Sequence, residues 1–156
     1  MPAATDTLAP TGFEVDHAAR TIRLTRDFAA GREQVFAAWT RPEQVACWWD
    51  AAGEPLERCD IDLRVGGGFA FVTRGHPDLP FAGVYREIAP PARLVFDAMG
   101  SVGRVLLAEA KGGTHMVVEI ECATADQLEQ FLKMGVHVGT SRTLDNLVTH
   151  VDGANR

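Results

Sequence analysis

The chain has 156 residues, 46% of them hydrophobic and 23% charged, with a formal net charge of -6, which fits one soluble globular domain around a single core. The acidic balance excludes a general nucleic-acid surface, because phosphate binding draws on clustered Lys and Arg; no apolar run approaches the roughly 20 residues of a membrane-spanning helix, so no membrane partner is expected. Cys47, Cys59 and Cys122 are widely spaced, with no Cys-x-x-Cys and no nearby histidine pair, and so read as reduced, mostly buried thiols; no metal site and no cofactor is indicated.

Residues 1–12 have neither the basic start nor the apolar core of a secretory signal and read as a disordered lead-in, so a cytoplasmic location is the default expectation. One domain is expected over 13–152, followed by a tail at 153–156. The segment 21–28 alternates, with Ile22, Leu24 and Phe28 on one face and Thr21, Arg23, Thr25 and Asp27 on the other, the period of a half-buried strand. Residues 13–15 would pair with it across a turn at 16–19. Val35, Phe36 and Trp39 then recur at helical spacing, and Pro42 opens a second short helix where its missing N–H costs nothing.

Strands are expected at 56–63, 69–74, 83–88, 94–99, 105–109 and 114–122, separated by turns at 66–68, 76–80, 90–91, 100–103 and 112–113. Connections this short dictate an antiparallel meander. From 125 to 151 the period becomes helical, with Thr124 as N-cap and Asp126 and Glu129 in the first turns. The middle of this helix, GVHVGTSR, is small and β-branched. It would leave a cavity beside it, or else Gly135 and Gly139 would let another backbone approach closely.

Four segments in order, VFAAWTRPEQVACWW, DIDLRVGG, GVYREIAPPARLVF and GVHVGTSRTLDNLVTHV, carry a resemblance to the heat-shock protein 90 ATPase activator homologue family of the START-like, or SRPBCC, superfamily. The resemblance spans nearly everything after residue 12. It implies an α+β helix-grip fold of the START-like, Bet v-like kind, in which a curved antiparallel sheet wraps around a long C-terminal helix, with two short helices after the first strand and an apolar pocket between sheet and helix. Ligand carriers, polyketide cyclase-like proteins, resistance proteins and chaperone regulators look similar at this level, so fold alone does not select a function. Thr140 stands where relatives often carry a large aromatic, Asp50 where glycine is common, and the loop HPDLP is short; these departures bear on pocket size and entrance shape.

Trp48 and Trp49 are helix neighbours about 100° apart, so one is expected in the core and the other near a rim. Alternation places Cys59, Ile61 and Leu63, Phe69 and Phe71, Leu94 and Phe96, and Met116, Val118 and Ile120 on concave apolar faces. The strand at 83–88 is ambiguous, since Tyr85 lies on one face and Val84 and Ile88 on the other. Asp60, Asp62 and Arg64 share the opposite parity and read as an outward charge ladder with Arg74 rather than a carboxylate pair for catalysis. Of the five histidines only His137 falls beside the expected pocket, where a structural histidine is a more frequent occurrence than a general base. No nucleophile, base and orienting acid form a recognisable set, and the 66–68 glycines precede a strand, so they lack the helix N-terminus of a phosphate loop.

The reading these features favour is a non-catalytic binding module for a small hydrophobic or aromatic molecule, with Trp48, Trp49, Ile61, Phe69, Phe71, Tyr85, Phe96, Met116, Val118, Met134, Val138 and Ser141 as candidate ligand contacts. A cyclase- or hydrolase-like enzyme in which His137, Ser141 or Tyr85 assists proton transfer is the alternative. A chaperone ATPase regulator acting through protein contact is the third reading, placed last because 156 residues are not expected to accommodate the additional N-terminal domain of the full activators. A sheet edge and exposed aromatics would allow a homodimer.

Overall fold

A computed structural model describes residues 13–154; the lead-in expected over 1–12 and the last two residues of the expected tail lie outside them. The chain order is β1 (Phe13–Asp16), β2 (Thr21–Phe28), α1 (Arg32–Thr40), α2 (Pro42–Trp48), β3 (Arg58–Ile61), β4 (Gly68–Val72), β5 (Phe81–Ala89), β6 (Arg93–Ala98), β7 (Ser101–Ala110), β8 (Gly113–Glu121), α3 (Ala125–Lys133) and α4 (Val136–Ala154). The strands form one antiparallel eight-stranded sheet in the order β1-β2-β8-β7-β6-β5-β4-β3. From β3 to β8 it is the expected meander, and β8 closes on β2 in the register Ile22↔Ile120 and Leu24↔Val118. The curved sheet holds α4 against its concave side: this is the helix-grip fold.

Several boundaries depart from the sequence expectation, each for a local reason. The strand expected at 56–63 shrinks to Arg58–Ile61 because the Leu56 N–H bonds to the Ala46 carbonyl, while Asp62 and Arg64 form a turn. The strand expected at 105–109 instead begins at Ser101: Met99 (φ 56°) and Gly100 (φ 76°) make a two-residue turn, leaving Ala98 paired with Ser101. Positive φ at both central residues is the geometry that matches strand twist. A bulge between Tyr85 and Glu87 shifts the register by one, so that Tyr85 faces Phe96 and Ile88 faces Leu94. Tyr85 and Ile88 thus share the concave face, and Val84 is left exposed outside.

Gly103 lies in the middle of β7 because the ring of its cross-strand partner Phe96 lies over it; a Cβ there would meet that ring at 2.4 Å. The edge strand β3 carries the exposed pair Arg58–Asp60 at 2.6 Å, and charge at an edge discourages pairing with another chain. Arg64 pairs with Asp62, but Arg74 donates to the Pro55 carbonyl rather than joining a ladder.

The helix expected over 125–151 is two helices. Gly135 takes φ 75°, the left-handed conformation that ends helices, and α4 restarts at Val136. Thr124 caps α3 as expected, its hydroxyl accepting from the Gln127 N–H at 3.0 Å. Polar bonds hold α4 on both flanks. Arg26 of β2 donates to the Asp145 carboxylate at 2.9 Å and to the Ser141 carbonyl and hydroxyl at 2.9 and 2.7 Å. On the other flank Thr143 donates to the Trp49 carbonyl at 3.1 Å and Asn146 to the Asp50 carbonyl at 2.9 Å. Near the C-terminus Asp152 accepts from the Ala29 N–H at 3.1 Å.

The Arg26 side chain is 12% exposed while Asp145 is 68% exposed, so the two ends of their ion pair differ in weight. Arg26→Met strips two acceptors on Ser141 as well as Asp145 and is expected to cost about 1–3 kcal/mol, whereas Asp145→Asn is expected to cost less than about 1 kcal/mol. Urea midpoints at constant slope measure both.

Candidate functional site

Between sheet and α4 lies a cavity of about 350 Å³, within the range of small-molecule sites. Its far walls are Val118 and Ile120 of β8, Gly103 of β7 and Phe96 of β6; Trp39, Trp49 and Phe81 add aromatic surface, and Phe131 of α3 with Val136, Gly139, Thr140, Thr143 and Leu144 of α4 close the near side. Asp50, Ala51, Thr73 and Met99 also line it, and exposure of Ala51 and Met99 marks the mouth. A Cβ at Gly139 would meet nothing within 4 Å. The glycine therefore leaves open space, and the close backbone approach considered from the sequence does not occur there.

The paired tryptophans divide as geometry requires. Trp48 is 1% exposed, its indole N–H donates to the Ala38 carbonyl at 2.9 Å, and its ring stands edge-on to Trp39 at 4.9 Å. It locks α1 to α2. Trp49 is half-buried, lines the cavity, and packs on Phe71 and Phe81, each at 4.9 Å. Behind it Phe69, Phe71, Tyr85 and Leu94 complete an aromatic box with almost no free volume.

Of the residues picked out from the sequence, Trp49, Phe96 and Val118 line the main cavity, and Phe69, Phe71 and Tyr85 line the adjoining box. Ile61 is partly buried against the core, and Met116 is fully buried, accepting at Sδ from the Trp39 indole N–H at 3.4 Å. Met134, the residue that ends α3, and Val138 are 64% and 45% exposed, and Ser141 turns to Arg26; the break at Gly135 resets the helix phase and puts Val138 and Ser141 off the cavity line. The lining residues missed include Trp39, Asp50, Phe81 and Phe131, and, on α4, Val136, Gly139, Thr140, Thr143 and Leu144. Counting back from Val151 and Leu147 by threes and fours reaches Leu144, Thr140 and Val136, and this was the signal available.

His137, Ser141 and Tyr85 do not converge. The His137 ring stands edge-on to Phe13 of β1 at 5.0 Å, with Nδ1 buried and without a partner among the described residues. Tyr85 is 3% exposed; burial first, then neighbouring Cys59, pushes its phenol far above the ordinary value. None of the three lines the main cavity. Among the described residues no three His, Cys, Asp or Glu side chains gather as metal ligands, and no helix is long and apolar enough to cross a membrane.

The family model described as activator of Hsp90 ATPase homolog 1-like protein matches residues 29–152. The chain belongs to this family. A crystal structure from Nitrosomonas europaea is similar with a TM-score of 0.81 at 22% identity, covering 90% of this chain and 99% of that one. One from Mycobacterium smegmatis has a TM-score of 0.77 at 22% identity, covering 92% and 98%. The solution structure of an AHSA1-like protein from Aeromonas hydrophila has a TM-score of 0.72 at 25% identity, covering 86% and 94%. These establish the shared fold. No curated protein matches the chain.

All three cysteines are free thiols; against the expectation of mostly buried thiols, Cys122 is buried, Cys59 partly buried and Cys47 exposed. Burial chiefly, with Asp60 and Glu43 after it, pushes the Cys59 thiol up to about 11; burial also raises Cys122. At pH 8 the thiolate fraction of Cys59 is on the order of one in a thousand. Thiol titration with a disulfide reagent at that pH should modify Cys47 rapidly and the other two only after denaturation.

Proposed function

We propose that this protein binds a small, mostly apolar molecule in the cavity between the sheet and α4, without chemistry on it. The observation that carries this reading is the open volume at Gly139. A helix glycine costs about 1 kcal/mol relative to alanine, and here that cost is accompanied by no close packing. Its consequence is room for a guest. Aromatic and aliphatic walls supply the apolar contact, and a few hydroxyls at the mouth supply orientation. Proton-transfer chemistry built on His137, Ser141 and Tyr85 has no shared space in which to act. The family's name suggests chaperone ATPase regulation, but no surface feature among the described residues favours a particular protein partner.

Gly139→Phe separates a binding role from a structural one. The new ring has space in the cavity, and removing a helix glycine favours folding, so stability should hold or rise. A thermal-shift screen of hydrophobic and aromatic compounds should give hits on the unaltered protein, with a ligand at a hundred times its Kd raising Tm by about 5–10 °C. Those shifts should vanish in Gly139→Phe. Shifts of equal size in both proteins would defeat the assignment.

A further inference from the structure

The cavity wall is asymmetric in charge. Among the described residues no Lys, Arg or His lines it, and the acids that do are Asp50 and Glu119. The Glu119 carboxylate is held on the opposite, convex face by Arg23 at 2.9 Å and Arg104 at 3.6 Å, as its parity with Val118 and Ile120 requires. Asp50 is therefore the one charge at the cavity that carries no ion pair among the described residues.

Its position is fixed on two sides. The Asp50 carbonyl accepts from Asn146 of α4 and from the Gly53 N–H, and Oδ1 accepts from the Ala52 N–H at 3.1 Å. Oδ2 makes no hydrogen bond within the described protein. The other polar groups at the lining divide in the same way: the Ser101 and Thr143 hydroxyls are committed to the Ala98 and Trp49 carbonyls, while the Thr73 and Thr140 hydroxyls have no described partner. Asp50 follows Trp49 in the chain, and the Trp49 ring lines the same cavity and contacts Phe81. Aromatic faces attract cations and offer nothing to anions.

We propose that the cavity selects a cationic ligand, an amine with an aromatic or aliphatic body, whose ammonium lies at the mouth against Asp50 and the Trp49 face. The proposal deepens the binding reading above and rests on it. A carboxylate-headed ligand, such as a fatty acid, would bring its charge to an unpaired acid with no cation to meet it. A neutral ligand would use only the walls and the Thr73 and Thr140 hydroxyls. The protein's net charge of -6 also raises the local concentration of cations and lowers that of anions.

A matched series tests the proposal: naphthylethylamine, naphthylethanol and naphthylacetate, titrated calorimetrically into the full chain, its Asp50→Asn variant and its Gly139→Phe variant. The amine is expected to bind about tenfold more tightly than the alcohol, with the carboxylate weakest, and added salt should weaken the amine alone. Asparagine keeps the bond from the Ala52 N–H, so Asp50→Asn should bring the amine down to the alcohol's affinity and leave the alcohol unchanged. Equal binding of all three probes, abolished by Gly139→Phe, would overturn the charge selection while sustaining the cavity as a binding site. A carboxylate as tight as the amine, or an amine-to-alcohol ratio untouched by Asp50→Asn, would also overturn it. Absence of binding by every probe, or binding indifferent to Gly139→Phe, would remove the binding site itself and the selection with it.

Discussion

Everything about the cavity depends on how α4 is held. A long helix on a curved sheet ordinarily gains its place by filling the space beneath it with side chains. Here the helix is fixed at its flanks, by Arg26 on the β2 side and by Thr143 and Asn146 on the α2 side, and its inward positions 136, 139 and 140 are Val, Gly and Thr. Apolar packing is concentrated lower down, at Leu144, Leu147 and Val151. Such an arrangement separates the task of anchoring the helix from the task of filling the volume, and so leaves the volume to something else.

The sheet contributes by a related device. Phe96 covers Gly103 and Phe69 covers Gly83, each across a strand pair. Glycine at these two positions leaves each ring the space against the sheet that a Cβ would occupy, and the two rings meet edge to face at 5.4 Å. A sealed, dry void of about 350 Å³ would cost on the order of 8 kcal/mol by the cavity dependence seen in core truncations. The exposed mouth at Ala51 and Met99 admits water and so avoids most of that cost, while the apolar lining keeps water poorly bonded. Displacing such water is favourable.

The sequence displayed the fold more openly than the site. Alternation in β2, β4 and β8, the turn signals between strands, Pro42 and the Thr124 cap together specify the meander, the helix corner and the terminal helix. What it concealed were three changes of phase. Met99–Gly100 is not the Asn-Gly or Asp-Gly pair that announces a two-residue hairpin, so the start of β7 was placed late. The bulge after Tyr85 inverted the apparent face of Ile88. Gly135 reset the terminal helix, so that Val138, expected at the pocket from one continuous helix, falls on the surface, whereas counting back from Val151 leads to Thr140 and Val136 at the cavity. Strand and helix faces follow from local periodicity, but a single residue in a left-handed or bulged conformation shifts everything beyond it.

The same tethers bear on how a guest would be admitted. Raising α4 would break the bonds from Arg26, Thr143 and Asn146 together with the one between Asp152 and Ala29, a concerted loss of several partly buried interactions. Moving the Met99 side chain, 55% exposed at the tip of the β6–β7 hairpin, breaks none, since the tip is tied to α3 through the Met99 carbonyl and Gln127. Rotation of an unbranched thioether costs little. The least costly opening therefore leaves the backbone frame standing and acts through side chains at the mouth, which keeps Asp50 and Trp49 in fixed positions whether or not the cavity is filled.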